Sequence, residues 1–373
     1  MKYIFHLIAS VILLLPPSTT AASENVKVGL IYGDSAFHST SDIGMDLLGA
    51  RLAVSDLNAK GGLLGKEVEL VELNYGITPL GARLAARKAA ETGVIAVIGP
   101  ITSSQALLAG AVLQQSKIPM ISTFATNPEV TLLGDYIFRV CFSDRFQGQA
   151  LANFALQDLK AGTAVVLTCI GDKYSIGLSR IFTESFEKGG GAILWEGDYS
   201  STATDFTTLL ENVSRHRPDV VFLPGFINNS GLIVKQSRDL GMSIPFIGGD
   251  TWSDKLYEYG GAAIEGSYYS SNWDIDAENE ISREFVNRYI NEYQKGDLVI
   301  LGLSHDAVFL LADAANRANS LKPASIRDAL ANTTGFQGIT GDITMDKNGD
   351  PVKPVLIFKF EKGASILIRT VMP

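Results

Sequence analysis

The feature of the sequence that most limits its fold is a regular alternation of short apolar runs with longer helical patterns. Val26–Tyr32 is apolar and β-branched and predicts a buried strand. Apolar spacing close to 3.6 predicts a helix over Ile43–Ala59, which ends at Gly61-Gly62. The same alternation continues through Glu67–Asn74, Leu80–Thr92, Val94–Ile98, Ser103–Gln115 and Ile118–Ser122. This order predicts a parallel sheet with helices on both faces.

The second half of the chain begins the alternation afresh, without an obvious repeat of the sequence. Its predicted strands are Tyr136–Cys141, Ala164–Ile170, Ala192–Glu196, Val220–Pro224 and Pro245–Gly248, and the first of them is a candidate for a crossing between lobes. Beyond Asn272, three helices and a hairpin are predicted to return over both lobes: Glu278–Gln294, Leu303–Ala318, Ala324–Ala331, and Val355–Phe360 with Ser365–Thr370. The chain is therefore predicted to form two doubly wound α/β lobes with a ligand cleft between them.

Length and composition agree with two globular domains. The chain has 373 residues, of which 46% are hydrophobic and 19% charged. Its net charge of -9 argues against nucleic acid as a partner, because such proteins usually present a basic face.

The first segment is predicted to be a secretory signal peptide spanning residues 1–23. Lys2 precedes the apolar stretch Tyr3–Leu15, and small residues lead to a cleavage point after Ala22 or Ser23. An uncleaved membrane anchor is the alternative. No other stretch approaches 18 apolar residues, so the mature chain is expected to be soluble and exported.

Two cysteines, Cys141 and Cys169, remain after cleavage. Both are assigned to strands of one lobe, where they could be neighbours. Export permits a disulfide, and two buried thiols are the alternative.

Signatures of an enzyme or of a metal site are sparse. The remaining histidines are His38, His216 and His305, and no pair has the spacing of metal ligands. No zinc-protease motif, paired-cysteine motif or hydrolase nucleophile elbow occurs. Non-catalytic binding without a cofactor is therefore expected.

The predicted strand ends instead carry groups that suit a zwitterion. Ser103 opens a helix, where its hydroxyl and free N–H groups favour a carboxylate, and Thr126 offers a second hydroxyl. Asp250 follows a strand of the second lobe and could pair with an ammonium group. The aromatic residues Tyr174, Phe226 and Trp252 lie at other strand ends of that lobe. Ordinary helix caps and core packing are the alternative explanations for each of these residues.

Several short motifs together resemble the leucine/isoleucine/valine-binding protein family, the type I periplasmic binding proteins of ABC transporters. They are Gly49-Ala50-Arg51, Asn58-Ala59-Lys60-Gly61-Gly62, Ala125-Thr126-Asn127-Pro128-Glu129, Phe138-Arg139 with Asp144 and Gln147-Gly148, Asp172 with Tyr174, and Ser304-His305-Asp306-Ala307-Val308. The resemblance spans nearly the whole mature chain. It implies two α/β lobes joined by three crossovers, with residues 24–143 plus 274–352 in lobe 1 and residues 144–273 plus 353–373 in lobe 2.

The resemblance also assigns roles to residues of this sequence. Ser103 and Thr126 would bind a ligand carboxylate with help from the backbone around Phe124 and Ala125. Asp250 would bind the ammonium group, and Tyr174, Phe226 and Trp252 would flank the ligand from the second lobe.

The sequence departs from the family pattern at four places. Phe124 stands where small residues are usual, Asp250 is one methylene shorter than a Glu, and Phe226 replaces a common Tyr. The loop Gly33–Ser41, with Phe37 and His38, is unusual. These departures leave the ligand side chain undetermined.

The function implied is a monomeric periplasmic protein that binds a branched-chain, other aliphatic or aromatic amino acid and delivers it to a membrane ABC permease. The same fold could instead take up or sense an amide or a carboxylate. No cofactor, metal or nucleic acid is expected.

Overall fold

The computed structural model describes residues 25–33, 44–277, 279–291 and 295–373, without the side chains of 295–297. The predicted signal peptide and the loop residues Phe37 and His38 lie outside these ranges.

The first lobe is built on a five-stranded parallel sheet with the strand order β2-β1-β3-β4-β5. Its elements in chain order are β1 (Val26–Tyr32), α1 (Met45–Ala59), β2 (Val68–Asn74), α2 (Pro79–Glu91), β3 (Val97–Ile98), α3 (Ser103–Ser116), β4 (Met120–Ser122) and β5 (Ile137–Arg139). The interior strand β1 is largely apolar on both faces because helices cover both sides of the sheet, where two separate core clusters form.

The second lobe is built on a seven-stranded sheet with the order β14-β13-β10-β9-β8-β6-β7. Its parallel part comprises α4 (Asp144–Gln157), β6 (Thr163–Ile170), α5 (Lys173–Lys188), β7 (Ala192–Ser200), α6 (Thr207–His216), β8 (Val220–Phe222), α7 (Ile227–Asp239), β9 (Phe246–Ile247), α8 (Leu256–Gly260) and β10 (Tyr268–Ser271). The hairpin of β13 (Val355–Glu361) and β14 (Ala364–Val371) completes it as an antiparallel edge.

Between β10 and β13 the chain returns to the first lobe. There it forms α9 (Glu280–Tyr289), α10 (Lys295–Ala318), α11 (Pro323–Ala331) and the small hairpin β11 (Phe336–Gly338) with β12 (Gly341–Ile343). Residues of α10 and α11 join the apolar cluster that packs on α1 and β1. The late segments therefore complete both lobes, as the sequence predicted.

The helix α10 contains the one described stretch that is long and apolar enough to cross a membrane, Leu298–Ala318. This stretch is not an uninterrupted apolar run, because it contains polar or charged residues at Ser304, His305, Asp306, Asp313, Asn316 and Arg317. Most of the stretch is buried against the rest of the first lobe, which is the environment of a core helix.

The chain passes between the two sheets three times, and the three connecting segments bond to one another. The amide of Phe142 donates to Asn272 Oδ1 at 2.9 Å. Lys353 Nζ, which is fully buried, donates to Thr340 Oγ1 at 2.7 Å and lies 3.4 Å from the carbonyl oxygen of Val140. These contacts join the connecting segments into one hinge.

Three details of the sequence reading were wrong. The stretch read as Tyr136–Cys141 forms only β5, which is the edge strand of the first sheet, and the crossing follows it. Strand β10 was missed because its sequence, Tyr-Tyr-Ser-Ser, lacks the aliphatic residues that usually mark a buried strand. Strands β11 and β12 were also missed, because three residues each are too few for a periodic pattern.

The two cysteines are free and buried. Cys169 lies on β6, but Cys141 lies after the end of β5, so its assignment to a strand was wrong. Burial raises the pKa of Cys141 to about 12 and that of Cys169 to about 11, which leaves both thiols neutral and unreactive at ordinary pH.

Candidate functional site

The start of α3 forms one wall of the cleft between the lobes. The helix begins at Ser103 directly after the turn that follows β3, so its first N–H groups have no partners within the helix. Ser103 is 1% exposed, and its Oγ accepts a hydrogen bond from the amide of Asn127 at 3.2 Å. That bond uses an oxygen lone pair and leaves the hydroxyl hydrogen for an anion. The wall thus offers hydrogen-bond donors and the positive end of a helix dipole.

Thr126 lies next to this wall, in the loop after β4. The residue is fully buried, and its Oγ1 forms no hydrogen bond of good geometry with any described residue. The hydroxyl lies near the carboxyl of Asp144, where it opposes the rise in pKa that burial causes in that group. A buried hydroxyl left in this state is costly unless another group bonds to it. Thr126 is therefore suited to a bound polar ligand.

Arg139 holds the loop of Thr126 in place from below. Its guanidinium group is fully buried and donates to the carbonyl oxygens of Ala125 at 2.7 Å and Asn127 at 2.9 Å. It also donates to Thr131 Oγ1 at 2.9 Å and pairs with Asp350 at 2.7 Å. The backbone of Ala125 is thus engaged within the protein, with its N–H bonded to Ser122 Oγ at 3.3 Å. Ala125 shapes the loop and offers little to a ligand.

Asp250 lies on the opposite wall, at the carboxyl end of β9, inside a buried polar network. Gln147 Nε2 donates to Asp250 Oδ1 at 3.2 Å and to Asp144 Oδ1 at 2.8 Å. Gln147 Oε1 accepts from the amide of Asp250 at 3.0 Å and from Ser270 Oγ at 2.8 Å. Asn272 Nδ2 donates to Asp250 Oδ2 at 3.2 Å. The carboxyl group is thereby fixed in position, with Gln147 using both of its polar ends.

Burial controls the charge of this network. It raises the pKa of Asp250 to about 7, although hydrogen bonds from Tyr174, Gln147 and Asn272 oppose the rise. Burial, and after it the charge of Asp250, raises the pKa of Asp144 well above the ordinary value. No cation among the described residues pairs with Asp250. A ligand ammonium group would supply the missing positive charge.

The three aromatic residues surround Asp250 in different ways. Tyr174 is buried in the first turn of α5, which begins where Asp172 caps it by accepting from the amide of Ser175 at 2.9 Å. Its ring centroid lies 6.1 Å from that of Phe226, which is half-buried at the start of α7. Trp252 is 2% exposed in the core of the second lobe and donates its indole N–H to the carbonyl oxygen of Gly225 at 3.1 Å. Tyr174 and Phe226 therefore face one another, and Trp252 serves largely as core.

The two walls are in direct contact at one end of the cleft. Ser104 Oγ accepts from the amide of Lys173 at 3.1 Å, and Asn127 Nδ2 donates to the carbonyl oxygen of Lys173 at 2.7 Å. A Cβ on Gly177 would lie only 2.5 Å from Asn127 Nδ2, so this close approach requires glycine. The lobes are closed over the head-group region.

A cavity of about 340 Å³ extends from Asp250 between the lobes. Its lining is aromatic and aliphatic on one side and includes Phe124, Trp252, Tyr269, Trp273, Ile300 and Phe358. Asp254, Asp274 and Asp276 contribute carboxylates to the same lining. The cavity has room for an apolar side chain beside Asp250.

The eight predicted residues lie in different surroundings, and three of them line the cavity between the lobes. Phe124, Asp250 and Trp252 line the cavity, and Tyr174 contacts the Asp250 region. Ser103 and Thr126 form the facing wall, Phe226 packs against the core of the first lobe, and Ala125 acts through its backbone. Arg139, Asp144 and Gln147 belong to the motifs that carry the family resemblance but have no predicted role in binding, and neither does Asn272. The sequence offered one sign of their importance: these residues are polar, although they lie at or near the ends of helices or strands that are otherwise apolar.

Comparisons with known proteins give a consistent result. A family model described as periplasmic binding protein matches residues 25–364. The leucine-specific-binding protein of Salmonella typhimurium is 29% identical over 350 residues, which cover 91% of each chain. The leucine-binding protein LivK of Thermotoga maritima has a solved structure that is 32% identical, with a TM-score of 0.87 over 93% of this chain and 99% of that one. The structure of the branched-chain amino acid transporter substrate-binding protein LivJ of Streptococcus pneumoniae with isoleucine is 28% identical, with a TM-score of 0.85 over 94% of this chain and all of that one.

Proposed function

The chain belongs to the periplasmic binding protein family, and we propose that it captures a free amino acid with an apolar side chain and delivers it to an ABC permease. No chemical step is involved. Closure of the lobes over the ligand buries it and creates the surface that a permease recognises.

The observation that carries this proposal is the pairing of two unlike walls. Ser103, Thr126 and the start of α3 supply donors for a carboxylate, and Asp250 supplies a buried acceptor for an ammonium group. The amide of Asp144 donates to the carbonyl oxygen of Thr126 at 2.8 Å, and Gln147 joins Asp144 to Asp250. Only this short chain of hydrogen-bonded groups separates the wall that holds Thr126 from Asp250. Such a short separation suits the head group of an amino acid, whose carboxylate and ammonium lie close together.

The nature of the side chain follows from the cavity and from the relatives. The lining beside Asp250 offers Phe124, Trp273 and Ile300, which favour an apolar group of moderate size. The relatives named above bind leucine or isoleucine according to their descriptions. We propose leucine, isoleucine or valine as the principal ligand class, with aromatic amino acids as the next candidates.

The remaining parts of the proposal concern setting and organisation. We propose that residues 1–23 direct export to the periplasm and are removed, and that the protein acts as a monomer. We also propose that residues 24–143 with 274–352 and residues 144–273 with 353–373 move as the two rigid lobes. The strand memberships of the two sheets support this division.

A second candidate ligand class is supported by the protonation of Asp250. Because burial raises the pKa of this group to about 7, it can also act as a neutral acid that donates a hydrogen bond. A neutral Asp250 would suit an amide or a carboxylate without an amine, in uptake or in sensing. This candidate predicts that amides or amine-free carboxylates bind and that the corresponding amino acids do not.

A thermal-shift panel separates the two classes. Mature protein stripped of ligand is mixed with amino acids, their amides and the corresponding amine-free acids. A ligand at 100 times its Kd stabilises the fold by about 2.7 kcal/mol, which raises Tm by several degrees. We expect this rise with branched-chain amino acids and not with their amine-free analogues. A rise only with amine-free acids or amides would instead favour the second candidate.

A further inference from the structure

A second cavity, of about 380 Å³, lies in the first lobe between α1, α9, α10 and the hairpin of β11 and β12. None of its lining residues lines the cavity between the lobes. The proposed transport function leaves this cavity without a role. Its size falls in the range of small-molecule sites.

One side of this second cavity is aromatic. The ring of His305 stacks on that of Phe309 with centroids 4.6 Å apart and planes 12° from parallel. Phe285 meets His305 edge-on at 5.3 Å. His305 is 9% exposed, and burial lowers its pKa, so the imidazole is neutral at ordinary pH. These rings offer a flat apolar surface for a ring or a branched chain.

Most charges at the cavity already have partners. Arg288 Nη1 lies 3.0 and 3.1 Å from the two carboxylate oxygens of Asp56. Asp306 accepts from the amides of Ile339 at 2.7 Å and Thr340 at 2.9 Å, and from Thr340 Oγ1 at 2.6 Å. These groups have little capacity left for a ligand.

Lys60 differs from these groups. Its ammonium lies 5.2 Å from the centroid of the Phe309 ring, and it forms no ion pair with any residue in the described ranges. It is thus an unpaired cation directly above the aromatic wall. A ligand carboxylate could pair with the Lys60 ammonium, while the apolar part of the same ligand lies against the rings.

We propose that this cavity is a second binding site, which takes a small monocarboxylic acid with an aromatic or branched apolar body. The carboxylate pairs with Lys60, and the body lies against Phe285, His305 and Phe309. Glu284 also lines the cavity, and its negative charge excludes acids with a second carboxylate near that position. The site does not depend on which molecule the inter-lobe cleft carries.

The wall of this cavity is joined to the inter-lobe cavity by hydrogen bonds. Ile339, which lines the second cavity, accepts through its carbonyl oxygen from Ser282 Oγ. Ser282 Oγ accepts in turn from the indole N–H of Trp273 at 2.9 Å, and Trp273 lines the cavity between the lobes. Occupation of the second cavity is therefore expected to change the fluorescence of Trp273.

Phenylacetate and its uncharged analogue phenylacetamide are suitable probes for this site. Binding is followed by ligand-observed NMR and by tryptophan fluorescence. Phenylacetate is expected to bind the wild-type protein, and phenylacetamide is expected to bind about tenfold more weakly because it lacks the charge that Lys60 recognises. Absence of phenylacetate binding at millimolar concentration would overturn the proposal.

Three variants locate the bound probe. Lys60→Met keeps the apolar stem of the side chain and should weaken phenylacetate binding about tenfold. Lys88→Met, at an exposed position on α2, is the matched control and should have no effect. A cleft variant carrying Ser103→Ala and Thr126→Val should bind the probe as the wild-type protein does. Loss of binding in the cleft variant, or unchanged binding in Lys60→Met, would place the probe elsewhere and contradict the second site, whatever the amino-acid panel shows.

Discussion

Replacing Asp250 by Asn is expected to weaken the binding of the cognate amino acid at least a hundredfold. The change removes the buried negative charge that faces the ligand ammonium group. It keeps the size of the side chain, although the new NH2 group replaces an oxygen that accepts from Gln147 or Asn272. Loss of one partner from a buried, hydrogen-bonded charge pair costs about 3 kcal/mol or more, which corresponds to a factor of about a hundred or more in Kd. Isothermal titration calorimetry measures the change directly.

The same variant has a second signature, in stability. Because burial raises the pKa of Asp250 from 3.8 to about 7, the ligand-free fold holds a proton that the unfolded chain has lost. The proton bound to Asp250 therefore stabilises the fold at low pH. That stabilisation is lost as the pH rises from 3.8 to about 7, and none of it remains above this range. Asp250→Asn lacks the group and should lose that part of the pH dependence.

Asp198→Asn is the matched control for this prediction. Asp198 is exposed on β7, so its substitution should leave the affinity for the amino acid unchanged. Unchanged affinity in a folded Asp250→Asn protein would show that the ammonium group is bound elsewhere.

Replacing Arg139 by Met is expected to lower the free energy of unfolding by about 3–5 kcal/mol. Arg139 is fully buried, pairs with Asp350 and holds three further oxygen acceptors. The substitution leaves Asp350 without its cation and leaves the carbonyl oxygen of Ala125 without a donor, whereas that of Asn127 keeps the amide of Val130 at 3.1 Å. Since most domains have a net stability of only about 5–15 kcal/mol, a large drop in the denaturant midpoint follows.

The loss should extend to ligand binding, because Arg139 fixes the backbone that presents Thr126. Arg215→Met is the matched control: Arg215 pairs with Glu211 at 3.7 Å and donates to Asn212 Oδ1 at 3.1 Å, both at the exposed surface, so its substitution should cost little. A folded Arg139→Met protein with wild-type stability and affinity would contradict the proposed role of Arg139.

The fold was largely predictable because buried parallel strands and amphipathic helices leave clear periodic patterns. β1 was placed at its observed bounds, and α1, α3 and the final hairpin were placed within a few residues. The missed strand β10 depends instead on tertiary context. Its residues Tyr268–Ser271 pair with β9 on one side and β13 on the other, but they do not form an apolar run that would predict a strand. Long-range pairing of this kind is invisible to local patterns.

The candidate site was predictable to a lesser extent. Strand ends identified Ser103, Thr126 and Asp250, because parallel strands present their carboxyl ends at one edge. The partners that give Asp250 its position, Gln147 and Asn272, come from a helix and a hinge segment far away in sequence. Only the packing of α4 against β9 and β10 brings them together, and no spacing in a single sequence encodes that contact.

The most direct test of the central claim is calorimetric titration of the wild-type protein with leucine and with 4-methylpentanoate, which is leucine without its amine. Leucine is expected to bind at least a hundredfold more tightly. It should also release close to one proton at about pH 6 and much less at about pH 8, because the ammonium group displaces the proton of Asp250, whose pKa lies near 7. Titration in two buffers with different ionisation heats counts that proton. Equal affinity for the two compounds, with no proton released at the lower pH, would contradict the account.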